Sequence, residues 1–169
     1  MSNYRNYIFT AVLISIPFLF LGQDLTFSDL YNLKTKNVEF AENLLSKRGW
    51  KILNTSVEKD KFKHITFDNT VENTHQGKSW IRIYWFDNEN KILEIRWTFD
   101  SQFLYNKILD EINNQPIDEK DFKSNQNGVI RSFLVKGVGV SMTNKTNYEA
   151  RITDGKFEIS FYNAKSLSQ

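Results

Sequence analysis

Two stretches, SWIRIYWF at residues 79–86 and KILEIRWTF at residues 91–99, decide the fold class of this chain. Both are rich in β-branched and aromatic residues, which favour strands, and the DNEN segment between them is typical of a turn. Successive side chains of a strand point to opposite faces, so each stretch presents one apolar face. The predicted core face comprises Ile81, Ile83, Trp85, Leu93, Ile95, Trp97 and Phe99.

The opposite face of this predicted hairpin carries tryptophan, tyrosine and arginine, the residue types enriched in binding hot spots. With a three-residue turn at residues 88–90, Arg82 is expected beside Arg96, and Tyr84 beside Glu94. Either this face binds a partner, or helices or the rest of the sheet cover it. On the first alternative, the predicted partner-binding residues are Trp80, Arg82, Tyr84, Glu94 and Arg96.

Two helical segments precede these strands. Thr26 followed by Asp29 predicts a capping box, and Asn37 predicts the start of the second helix. Gly49 is expected just beyond the end of that helix, where a left-handed backbone is common. The elements predicted here are helices within residues 26–48 and strands at residues 50–57 and 62–67.

A helix and a second series of strands follow residue 99. The apolar residues Leu104, Ile108 and Ile112 recur every four positions, which is typical of a helix. Asp154 and Gly155 predict a two-residue hairpin, because a type I′ turn needs positive φ at both positions. The elements predicted here are a helix at residues 101–114 and strands at residues 120–125, 129–136, 138–143, 148–153 and 156–162.

This order predicts an α+β fold with a mostly antiparallel sheet and the helices on one face. Helices followed by four strands, and then a helix followed by four or five strands, favour two tandem repeats at residues 23–99 and 100–169 that form one compact unit. A single α+β domain without a true repeat is the alternative, because short hairpins resemble one another.

The tandem pattern resembles the architecture of the beta-lactamase inhibitor protein family. The run LLSKRGW at residues 44–50 also resembles a helix-to-strand junction in secreted proteins of Bacteroidetes. The inhibitor resemblance implies a fold of two helix-plus-four-strand units. Because this chain has no cysteine, it lacks the disulfides of that family, and the resemblance implies nothing about the target.

The N-terminus has the parts of a secretory signal. Arg5 lies in a polar start, residues 7–21 are nearly all apolar, and Gly22 precedes the polar Gln23. This pattern predicts a signal peptide at residues 1–22, a secreted or periplasmic mature chain, and no membrane contact after cleavage. An uncleaved anchor and a buried core segment are the alternatives.

Composition excludes several kinds of chemistry. The 169 residues carry a net charge of +2 with the two signs interspersed, and a nucleic-acid partner needs a basic stripe instead. The absence of cysteine excludes thiolate nucleophiles and cysteine zinc sites, and the two histidines lack metal-ligand spacing. We therefore expect no metal, no cofactor, no catalytic residue and no nucleic-acid partner.

The sequence thus predicts a secreted or periplasmic, non-enzymatic interaction module that recognises a protein or peptide through an aromatic sheet face. The alternative is a periplasmic domain that binds a small ligand or carbohydrate, with Trp80 and Tyr84 as stacking platforms and Arg82 and Glu94 as hydrogen-bonding partners.

Overall fold

The computed structural model describes residues 25–57, 62–69, 79–86, 89–126, 128–145 and 156–164. The helices are α1 (Phe27–Thr35), α2 (Val38–Lys47) and α3 (Gln102–Asn113). The strands are β1 (Lys51–Val57), β2 (Phe62–Asp68), β3 (Ser79–Phe86), β4 (Ile92–Phe99), β5 (Ile117–Asn125), β6 (Gly128–Val135), β7 (Val138–Lys145) and β8 (Phe157–Asn163). The predicted signal peptide, residues 1–22, lies outside the described residues.

The helices begin and end where the local sequence predicts. The Asp29 backbone N–H donates to Thr26 Oγ1 at 3.1 Å, and the Thr26 N–H donates back to the Asp29 carboxylate at 2.9 Å. The Asn37 side chain accepts from the Phe40 N–H at 2.9 Å and caps α2 in the same way. Gly49 follows the end of α2 with a φ of 83°, a conformation that favours glycine.

All eight described strands form one antiparallel sheet in the order β1-β2-β3-β4-β8-β7-β6-β5. The sheet therefore consists of two four-stranded meanders that join at their last strands, β4 and β8. The strands β1 and β5 are the two edges. The α+β class is correct, and the sheet dominates.

One face of the sheet forms the hydrophobic core beneath the helices. Ile81, Trp97, Ile159 and Met142 lie directly opposite one another across four central strands, and all are buried. Tyr105 of α3 packs on Phe157 with ring centroids 4.9 Å apart, and Phe27 of α1 packs on Phe161 at 5.7 Å. Burial of each such side chain stabilises the fold by about 1.5–3 kcal/mol.

An irregularity in the β3–β4 pair corrects part of the predicted core. The register shifts between Tyr84 and Trp85, so that Trp85 pairs with Ile92. Ile92 is therefore buried in the core, although strict alternation placed Leu93 there. An extra residue in one strand moves every following side chain to the other face, which alternation alone does not predict.

The predicted hairpin of residues 148–153 and 156–162 lies only partly in the described residues. Its second strand is β8, which pairs with β4 on one side and with β7 on the other. Its first strand and its Asp154–Gly155 turn lie outside the described residues. A two-residue turn does join β6 and β7, where Lys136 and Gly137 have φ values of 50° and 76°, the positive pair of a type I′ turn.

Candidate binding face

The face of the sheet opposite the core is called the open face here, because the three described helices bury their apolar residues in the core on the other side. Its middle row of side chains crosses seven strands through directly paired residues. That row is Thr66, Arg82, Arg96, Ser160, Ser141, Ser132 and Asp121.

The structure brings four of the five predicted partner-binding residues together on the open face. Arg82 pairs with Arg96, and Tyr84 pairs with Glu94, in the register that the sequence predicts. All four side chains are half-buried, so each presents part of its surface to solvent.

Trp80, the fifth predicted residue, is on the same face but is only 6% exposed. The expectation that it is a partly exposed recognition residue is therefore wrong. Its paired neighbour Thr98 is 7% exposed, so this part of the open face is enclosed although no described helix covers it. Alternation predicts the face on which a side chain lies but not its depth within that face.

Arg96 belongs to a neutralised ion-pair network. Its Nη2 lies 2.8 Å from Glu94 Oε1, its Nε lies 3.8 Å from Glu158, and Lys145 lies 3.5 Å from the other oxygen of Glu158. Partial burial opposes the charge on Arg96, but the hydrogen bond to Glu94 and the two carboxylates hold its pKa above the usual value. This guanidinium is held in place by partners from β4 and β8.

Arg82 has a different environment. Its Nε donates to Thr66 Oγ1 at 3.3 Å, and its Nη1 donates to the Tyr84 hydroxyl at 3.3 Å. No ion pair links Arg82 to a carboxylate within the described parts of the chain. Two of its five N–H donors are thus used on neutral groups, and its charge faces that of Arg96 across the strand pair.

Aromatic rings support this pair of arginines. The Arg96 guanidinium lies 5.6 Å from the centroid of the Tyr84 ring, within cation–π range. The His64 ring contacts the Tyr84 ring at 5.6 Å between centroids, and His64 is buried. This contact places His64 in a supporting role on β2.

The seam between the two meanders adds a residue that sequence reasoning did not select. Tyr162 of β8 pairs with Glu94 on one side and with Gly139 on the other. A β-carbon at position 139 would collide with the Tyr162 ring, so the glycine allows the ring to lie across β7. Burial, together with the charge of Glu94, raises the pKa of Tyr162. Only the cross-strand register indicates that Tyr162 lies beside Glu94. That register depends on a pairing between strands that are far apart in the sequence.

The open face is asymmetric between the meanders. Beyond β8 it carries small side chains, including Ser141, Ser132 and Thr143, where the first meander carries arginine and tyrosine. Residues 146–155 of the second half lie outside the described residues.

The arrangement suits recognition by stacking and charged hydrogen bonds. No group of three or more histidine, aspartate or glutamate side chains that could hold a metal ion is present in the described portion of the chain. Within the same portion, no helix is long and apolar enough to cross a membrane.

Comparisons with protein-family models, with curated proteins and with solved structures found no match to this chain.

Proposed function

We propose that this protein is a secreted or periplasmic, non-enzymatic module that binds a protein or peptide through the first-meander part of its open face. The contact residues are Arg82, Tyr84, Glu94 and Arg96, with Tyr162 beside them. Arginine and tyrosine on a rigid sheet combine a large contact area with few rotatable bonds, which suits a binding surface.

The single observation that carries this proposal is the environment of Arg82. Like charges directly opposite each other in a sheet are destabilising, and Arg82 faces Arg96 without a carboxylate of its own among the described residues. Residues that lower stability without local compensation are typical of functional surfaces. A partner that presents an aspartate or glutamate to Arg82 would supply the missing charge through a bidentate pair.

A small-ligand or carbohydrate site on this face is the weaker alternative. It requires Trp80 as a stacking platform, and the indole is enclosed. A protein surface needs no such platform, since Tyr84 and the arginines supply the contact.

The symmetric strand order supports the further proposal that the meanders are tandem repeats of the kind seen in the beta-lactamase inhibitor protein architecture. Each set of four strands follows a helical segment, and β4 and β8 occupy equivalent places at the seam. On this interpretation β3 corresponds to β7, rather than to residues 148–153.

Export is proposed from the sequence of residues 1–22. N-terminal sequencing of protein collected from outside the inner membrane should begin within a few residues of Gln23. A chain that still begins at Met1 would support the anchor alternative instead.

The binding proposal is tested with exported protein as bait for proteins of the source organism, followed by measurement of Kd for the captured partner. Arg82→Gln and Tyr84→Ala should each weaken binding about 5–30-fold, the range expected of moderate hot spots. Added salt should weaken wild-type binding, because charge complementarity is screened.

The matched controls are Lys36→Gln and Phe40→Ala, which change an exposed cation and an exposed ring on the helical side. Both should leave Kd unchanged. If the controls weaken binding as much as the open-face variants, or if no partner distinguishes them, the open face is not the binding surface.

A further inference from the structure

A groove of about 680 Å³ lies on the helical side of the second meander, away from the open-face residues. One wall is α3, through Leu109 and Asn113, and the floor is the outer strand pair of β5 and β6. The volume is within the range of about 300–1,000 Å³ that is typical of small-molecule sites.

The floor alternates cations and aromatic rings. Lys120 pairs directly with Phe133, and Phe122 pairs directly with Arg131 two residues further along β5. The Arg131 guanidinium lies 5.5 Å from the centroid of the Phe122 ring, and its Nη1 donates to the Tyr105 hydroxyl at 3.0 Å. The two contacts fix the position of Arg131 at the floor of the groove.

The charges of this groove are not balanced by its own acids. Asp121 borders the groove at the sheet edge, but its place in the open-face row puts it on the other face of β5 from Lys120 and Phe122, and it forms an ion pair with Lys123 at 3.5 Å. Neither Arg131 nor Lys120 forms an ion pair within the described residues. Two cations therefore remain available beside apolar surface, including Phe122, which is 59% exposed.

We propose that this groove binds a small amphipathic organic anion, with an acidic head group on Arg131 and Lys120 and an apolar body on Phe122, Phe133 and Leu109. Arg131 uses one N–H on the Tyr105 hydroxyl, so its other N–H groups can donate hydrogen bonds to a ligand carboxylate. The apolar body covers the exposed Phe122 ring, whose burial is favourable at about 25 cal/mol per Å². A neutral or cationic ligand of the same shape would gain the free energy of covering Phe122 but not the hydrogen bonds between Arg131 and a carboxylate.

The test is isothermal titration of the full chain with dodecanoate, and with dodecyltrimethylammonium as a probe with the same chain length and the opposite charge. Dodecanoate should bind saturably, and the cation should bind at least about 10-fold more weakly, which corresponds to about 1.4 kcal/mol. The apolar residues 7–21 are the same in every variant, so their contribution cancels when variants are compared.

Arg131→Gln and Lys120→Gln should each weaken dodecanoate binding about 5–10-fold and leave binding of the cation unchanged. Lys120 is exposed on an edge strand, so its variant keeps the test valid if Arg131→Gln fails to fold. Lys51→Gln, which changes an exposed lysine on the other edge strand, is the matched control and should bind as wild type.

Three results would overturn the proposal. One is the absence of saturable dodecanoate binding. Another is equal binding of both probes, which would indicate only an apolar patch. The third is an equal loss in Lys51→Gln, which would indicate nonspecific attraction to positive charge. Because the groove and the open face are on opposite sides of the sheet, none of these results bears on the proposed protein partner.

Discussion

The two meanders share one strand order but place their distinctive residues on opposite sides of the sheet. The first, β1–β4, carries Arg82 and Tyr84 on the open face. The second, β5–β8, has serine and glycine there beside Tyr162 and Lys145, whereas Phe122 and Arg131 lie on the helical side. Among the described residues, two helices precede the first set of strands and one precedes the second.

This difference shows which positions specify the fold and which are free to vary. The core rows are apolar in both meanders, from Ile81 and Trp97 through Ile159 to Met142. The open-face positions differ, since β3 carries Arg82 and Tyr84 where β7 carries Ser141 and Gly139. The strand order therefore predicts neither the open-face site nor the groove, and the evidence for each lies in its own residues.

The largest expected effect contrasts a core position with an open-face position on neighbouring strands. Trp97→Ala should lower the free energy of unfolding by about 3–5 kcal/mol, because the indole is 1% exposed and its Nε1 donates to Ser79. Tyr84→Ala should cost less than about 1 kcal/mol, since its side chain is half-buried on the open face. Denaturant unfolding of both variants measures the contrast. Equal losses would mean that both faces of the first meander are structural.

A second prediction concerns Lys34, which ties α1 to the seam between the meanders. Its Nζ donates to the Ile92 carbonyl of β4 at 2.9 Å and to the Asn163 side chain of β8 at 2.8 Å, and the residue is 4% exposed. Lys34→Met keeps most of the volume and leaves two acceptors without this donor. The free energy of unfolding should fall by about 1–3 kcal/mol, measured by denaturant unfolding.

The pH dependence of this variant has a definite sign. Burial, and to a lesser degree the charge of Lys91, lowers the pKa of Lys34 in the folded protein below its usual value of 10.5. Between the folded pKa and 10.5 the unfolded chain binds more protons, so wild-type stability rises with pH through that window. The difference between wild type and Lys34→Met should therefore grow as pH approaches 10.5. A constant or shrinking difference would show that the lysine is not held in a charge-disfavouring site.

Local signals in the sequence predicted much of the fold. Thr26, Asn37 and Gly49 predicted the helix boundaries because capping depends on residues within one turn. Alternation predicted the Arg82–Arg96 and Tyr84–Glu94 pairs because both strands are adjacent in sequence.

Features that depend on distant pairing could not be predicted. The pairing of β8 with β4 brings together strands more than fifty residues apart, whereas Asp154 and Gly155 favoured a local hairpin. The enclosure of Trp80 and the groove at Phe122 depend on which neighbours the tertiary fold supplies. The charged sequence of β5 indicated only a weak strand, although its pairing with β6 creates the groove floor.

The smallest expected effect separates the two arginines of the open face. Arg96→Gln breaks a partly exposed ion pair with Glu94 and should cost about 0–1 kcal/mol. Arg82→Gln removes the like charge opposite Arg96 and keeps a side chain that can donate to Thr66, so stability should be unchanged or rise by about 0.2–1 kcal/mol. Denaturant unfolding at low and high salt measures both changes, and the gain in Arg82→Gln should shrink with salt because screening already weakens the repulsion. A clear loss of stability in Arg82→Gln would mean that its hydrogen bonds to Thr66 and Tyr84 outweigh the repulsion. Arg82 would then be a structural residue of the sheet, and its charge would not be reserved for a partner.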